Sequence, residues 1–176
     1  QTLDPKMPGD LVYGLGLTRP ELGGSEYFAM KGLIGSSVPQ VNAKEALELY
    51  RKVFLAHQKE LLASCISVNL GGLGVALAKM AIAGELGLEV DLSRSARESV
   101  ERDDYLLFSE SQSRFVVTID PQNQKSFEKH FGPSAALIGK VTQVPRLKIK
   151  GLNGKTIVDL SLLRLTEAYK KTFNSY

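Results

Sequence analysis

The sequence predicts an α+β fold, a mixed β-sheet with α-helices packed on it. Three observations lead there. Apolar residues switch repeatedly along the chain between strand-like alternation and the three-to-four spacing of a helix. The last predicted strands, 135–142, 147–149 and 156–160, stand close together, which favours a mixed sheet over a doubly wound one. The 176 residues are 43% apolar and show no internal repeat or low-complexity linker, so a single domain, 1–176, is expected.

Residues 11–17 are apolar and glycine-interrupted, a first strand. A turn-rich stretch, 18–27, carries Pro20, Gly23 and Gly24. Asn42 opens the clearest helix, and Glu45 stands at capping-box spacing after it. Ala46, Leu49, Tyr50, Val53, Phe54, His57 and Leu61 then share one helical face, which places His57 at the core or its boundary. Residues 63–68 read as a strand broken by Gly71-Gly72. The run 73–83 is apolar nearly all round and predicts a buried helix. Strands are expected at 86–92, where Glu89 and Asp91 alternate with Leu88, Val90 and Leu92, and at 114–119. Pro121 suits the first turn of a helix that Gly132 ends. After the closing strands, a final helix is expected from Leu162 to Phe173.

Composition excludes several classes. Cys65 is the only cysteine, so no internal disulfide forms and a cytoplasmic location is expected. No apolar run reaches membrane-spanning length, and no signal-peptide pattern opens the chain. The start at Gln1 rather than Met leads us to expect an upstream portion. The net charge of +3 is uneven, with a basic tail that includes Lys148, Lys150, Lys155, Lys170 and Lys171. These charges alternate with Leu147, Ile149, Leu152 and Ile157 and read as the solvent side of strands. No aromatic residues interleave to stack bases, so no nucleic-acid partner and no membrane partner are expected.

Little in the sequence offers chemistry. His57 and His130 stand alone and neither pairs with Cys65 at ligand spacing, so no metal site is assigned. His130 suits the C-terminal end of its helix. Gly14 to Thr18 lacks the lysine of a phosphate loop. Three segments remain as candidates. Gly23-Gly24-Ser25 would let a ligand or another chain approach closely, with Ser25 capping the segment after it, or would simply form a tight turn. Asn69 with Gly71-Gly72 would offer N–H groups to an anion at a helix start, or would serve only close packing. Glu110, Ser111 and Gln112, between Phe108 and Arg114, would form a polar ligand loop or a solvated turn, and the turn is the plainer expectation.

Taken in order, these segments resemble the last synthetase domain of formylglycinamide ribonucleotide amidotransferases. The match runs through Gly9-Asp10-Leu11 and Glu21-Leu22-Gly23-Gly24-Ser25-Glu26-Tyr27. It continues through Ala63-Ser64-Cys65, Gly71-Gly72-Leu73, Phe108-Ser109-Glu110-Ser111-Gln112 and Gly139-Lys140-Val141, covering nearly the whole chain. The resemblance implies a fold similar to the C-terminal domain of aminoimidazole ribonucleotide synthetase. It implies a part in an ATP-dependent carbon–nitrogen ligase of purine biosynthesis that takes ammonia from glutamine. ATP or ADP and magnesium would serve the full enzyme. The partners implied are upstream synthetase domains, a glutaminase subunit and a small bridging subunit. Catalytic histidine and magnesium ligands would lie in other domains, so no catalytic residue is assigned here.

Ile66, Ser67, Asn69 and Leu70 depart from the family, which usually places His-Asp and then a hydroxyl or acid before the glycines. The isolated domain is therefore expected to bind nucleotide weakly or not at all. Two other readings stand beside this one: a domain of a sister selenophosphate or aminoimidazole ribonucleotide synthetase, and an interaction module with a decayed site.

Overall fold

A computed structural model describes residues 1–171. Seven strands form one sheet: β1 (Leu11–Leu15), β2 (Ser64–Ser67), β3 (Gly87–Asp91), β4 (Phe115–Ile119), β5 (Ala135–Thr142), β6 (Arg146–Lys150) and β7 (Thr156–Ser161). Their order is β2-β4-β1-β5-β3-β6-β7. Every neighbouring pair is antiparallel except β3 and β6. The mixed sheet expected from the sequence is therefore present.

Among the described residues six α-helices accompany it: α1 (Glu26–Met30), α2 (Ala43–Gln58), α3 (Gly72–Gly84), α4 (Asp103–Phe108), α5 (Gln124–Phe131) and α6 (Leu162–Lys170). The expected end of the last helix at Phe173 lies outside the described residues. The sequence predicts no element between Leu92 and Phe108, and only a turn where α1 begins. Both α4 and α1 are too short for a recognisable period, six and five residues. Residues 121–123 form a 3₁₀ turn that leads into α5.

Alternation along the strands builds two cores. Val12, Val116, Ile138, Leu88 and Ile149 face α3, α4 and α6. Tyr13, Leu15, Val117 and Ile119 face the other way and pack with Leu49 and Ala56 of α2 and Phe127 and Phe131 of α5. α3 is buried through Leu73, Ala76, Leu77, Met80 and Ala81, as its nearly unbroken apolar run predicts.

α2 and α5 cover only part of their face of the sheet. Beyond them, Lys140, Glu89, Lys148 and Asp159 stand side by side across β5, β3, β6 and β7, alternating in sign. Glu89 meets Lys140 at 3.5 Å, and Asp159 meets Arg146 at 2.7 Å. The basic residues of β6 thus lie on a solvated, charge-paired face. Ile157 is exposed, contrary to expectation, and its neighbour Val158 packs against the core instead.

α2 departs from its predicted face. Ala46, Leu49 and Ala56 are buried, whereas Tyr50, Phe54 and His57 are exposed. His57 is therefore not a core residue, because the sheet meets α2 along a narrower stripe than its apolar arc. Asn42 Oδ1 accepts from the N–H groups of Lys44 and Glu45, which caps the helix. His130 Nε2 lies 2.8 Å from the Lys52 carbonyl and ties α5 to α2.

Candidate functional site

The fold brings the three glycine-bearing and polar segments together. Glu110 is buried. Its Oε1 accepts from the N–H of Gly71 at 2.8 Å and from the N–H of Glu26 at 3.0 Å. Its own N–H donates to the Glu21 carbonyl at 3.2 Å. Ser109 Oγ donates to the Arg19 carbonyl at 2.5 Å and accepts from the Glu21 N–H at 3.2 Å. Ser111 Oγ accepts from the Arg19 N–H at 3.0 Å. The segment before β4 is thus a buried polar knot and not the solvated turn its composition suggests: Ser109, Glu110, Ser111 and Arg114 are all buried.

Arg114 holds the knot from beneath. Its guanidinium donates to the carbonyls of Ser111 at 2.8 Å and Ser109 at 2.5 Å, and to Thr18 Oγ1 at 2.9 Å. Burial pulls its pKa down to about 10, opposed by the nearby carboxylates of Glu21 and Glu110, so it stays charged at neutral pH. Glu21 is buried too, and its Oε1 accepts from the Gln40 N–H at 3.1 Å. Glu21 and Arg114 organise the knot, yet neither stands among the site residues chosen from sequence. The available signal was a charge set directly against apolar neighbours, Leu22 on one side and Phe115-Val116-Val117 on the other.

Both diglycines spend their N–H groups inside the chain. Gly23 N–H donates to the Ser37 carbonyl at 2.7 Å, and Gly24 N–H to the Ile34 carbonyl at 2.8 Å. Gly72 N–H donates to the Asn69 carbonyl at 2.9 Å. Ser25 caps α1, its Oγ accepting from the Phe28 N–H at 3.2 Å. Asn69 is exposed and its amide donates to Ser67 Oγ at 2.9 Å. The glycine turns thus hold their own loops, and Glu110 already occupies the Gly71 N–H at the start of α3. The Gly71 and Gly72 N–H groups are thus already engaged within the chain.

Gln112, like Gly24 and Asn69, is exposed. Its amide donates to the Glu110 carbonyl at 3.0 Å, and it lines a cleft of about 250 Å³ with Arg19, Asn42, Glu45, Leu49 and Ser134. Arg19 is held there by Glu98 at 2.8 Å and Glu45 at 3.8 Å. Among the described residues no three His, Cys, Asp or Glu side chains gather as a metal site. Burial raises the Cys65 thiol to about 11, which keeps it protonated and unreactive at neutral pH. No described helix is long and apolar enough to cross a membrane.

Comparison with known proteins fits this architecture. The chain is 35% identical over 173 residues to the phosphoribosylformylglycinamidine synthase subunit PurL of Methanocaldococcus jannaschii, covering 97% of this chain and 23% of that protein. It is 32% identical over 177 residues to the same subunit of Alkaliphilus metalliredigens, covering 96% and 22%. The chain therefore spans about a quarter of the length of these relatives. Among solved structures, Thermotoga maritima PurL complexed with FGAR has a TM-score of 0.77 at 21% identity, covering 92% of this chain and 28% of that one. Escherichia coli HypE, a hydrogenase maturation protein, has a TM-score of 0.65 at 17% identity, covering 91% and 51%. These likenesses show a shared fold. The family model described as AIR synthase related protein, C-terminal domain, matches residues 7–151, and the chain belongs to that family.

Proposed function

We propose that the chain is the C-terminal domain of the second half of the synthetase subunit of a formylglycinamide ribonucleotide amidotransferase. That enzyme is an ATP-dependent carbon–nitrogen ligase of purine biosynthesis with glutamine as amido donor. The observation that carries the reading is the 35% identity to the M. jannaschii subunit across 97% of the chain. Three of the in-order motifs, those holding Glu21 and Glu26, Gly71, and Ser109 to Ser111, meet in one buried knot, which supports a fold preserved around them.

Within the ligase the domain is non-catalytic on its own. Nucleotide and magnesium belong with other domains, because the Gly71 N–H that could meet a phosphate is taken by Glu110. Thermotoga maritima PurL, similar in fold, is described in complex with ATP and with ADP, and within a PurLQS assembly. We take the partners to be upstream synthetase domains, a glutaminase subunit and a small bridging subunit, in the cytoplasm.

A domain swap tests the reading. The matched stretch of M. jannaschii PurL is replaced by this chain and expressed in a purine auxotroph lacking that subunit. Growth without purine is the expected result. A soluble, folded chimera that fails to restore growth would overturn the assignment. Calorimetry of the isolated chain with Mg-ADP should show no saturable heat, and micromolar binding would return the Gly71 turn to a nucleotide role.

A further inference from the structure

α2 carries more apolar surface than the domain buries. Leu47, Tyr50 and Phe54 are 50%, 46% and 59% exposed. They keep a three-then-four spacing, the seam that one helix offers another. Val38 and Val41, on the segment leading into the helix, are exposed as well. Large apolar side chains gathered in one region of a domain's surface mark a place that something covers. The seam is also stiffened: Tyr50 OH lies 3.0 Å from Ser113 Oγ, and its ring meets Phe115 edge-on at 5.8 Å. An anchor already held in place loses less freedom on binding.

Charge along the seam selects the occupant. Lys44 and Arg51 flank it, and neither has an ion-pair partner among the described residues. The acids of the same helix are already engaged, Glu45 with Arg19 and Glu48 with Lys52. The edge therefore carries unpaired positive charge. A second copy of α2, laid antiparallel about a two-fold axis near its middle, would set Arg51 against the Arg51 of that copy. A bilayer favours a broad apolar face with many basic groups, not a single row with two.

We propose that the outer seam of α2 is a docking surface for an amphipathic protein helix whose apolar stripe is edged by carboxylates. This goes beyond the ligase reading and does not depend on it. The probe is a labelled helical peptide with Leu at its a and d positions and Glu at e and g. Its fluorescence anisotropy should rise saturably with the full chain. Phe54→Glu and, separately, Leu47→Asp should weaken binding at least about tenfold, with far-UV circular dichroism unchanged. Arg51→Glu should weaken the Glu-edged peptide and strengthen a Lys-edged one of the same seam. No saturable binding at about 200 µM chain, equal binding of both peptides, or indifference to Phe54→Glu would overturn the proposal. So would a dimer in sedimentation, or co-sedimentation with phosphatidylserine vesicles, that Phe54→Glu abolishes, since either names a different occupant.

Discussion

The Glu110 carboxylate accepts the N–H of Gly71 at 2.8 Å, so the acid of one motif sits on the helix start supplied by another. The free N–H groups at the start of a helix carry partial positive charge and favour an anion. Here the anion is a side chain of the same domain. The pair locks the segment before β4 to α3, and the second bond from Glu26 N–H draws in α1 as well.

Removing that carboxylate should cost stability. Glu110→Ala leaves two N–H groups without their acceptor, at about 1–3 kcal/mol for each buried group left unpaired. Glu110→Gln keeps one carbonyl acceptor and should lose less. Urea denaturation of the three proteins orders them: wild type, then Gln, then Ala. Equal midpoints would show that the contact is not stabilising.

Arg114 should be harder to replace. Arg114→Met strands the Ser109 and Ser111 carbonyls and leaves the Glu21 and Glu110 carboxylates without their nearby positive charge. Breaking a buried charged arrangement costs about 3–5 kcal/mol. Arg114→Lys should not rescue it, because one ammonium cannot reach three acceptors held around a planar fork. Thermal unfolding followed by circular dichroism reads both, and a lysine variant as stable as wild type would refute the fork.

Gly72 and Gly24 should respond unequally to alanine. Both have left-handed backbones, with φ +66° and +71°. A Cβ on Gly72 would lie 2.6 Å from the carbonyl oxygens of both Leu107 and Ser109, whereas one on Gly24 meets nothing within 4 Å. Gly24→Ala should cost about 1–2 kcal/mol from backbone conformation alone. Gly72→Ala adds a clash with backbone that cannot turn aside, and should cost clearly more. Chemical denaturation midpoints decide, and equal losses would contradict the close approach of α3 to the knot.

Asp10 gives a pH signature. Burial raises its carboxyl pKa, partly offset by the hydrogen bond from the Met7 N–H. An acid raised in the folded state favours folding below its unfolded pKa and loses that contribution as pH rises through the folded value. Asp10→Asn stays neutral throughout. It should therefore raise the melting temperature over wild type at neutral pH and converge with it near pH ~3. A variant less stable than wild type at neutral pH would reverse the sign.

Patterns of period and punctuation reach far into this chain. The alternation Leu88-Glu89-Val90-Asp91, the Asn42 cap and the apolar run after Gly72 each specify an element from local chemistry alone. The tyrosine-ended glycine motif and the Ser-Glu-Ser run pointed to the family, and the family match bears that out. α4 left no such trace, because six residues make too few turns to show a period.

What the sequence determined by itself was the strands and the longer helices, the α+β class and the presence of three unusual polar or glycine-rich segments. Only the tertiary structure decided what those segments do to one another. Which N–H groups remain for a ligand depends on partners far apart in the chain, and Gly71 and Glu110 are 39 residues apart. The same holds for α2. Its apolar arc is written in the sequence, but how much of it is buried depends on where the sheet and α5 meet it. Phe54 and His57 are exposed for that reason.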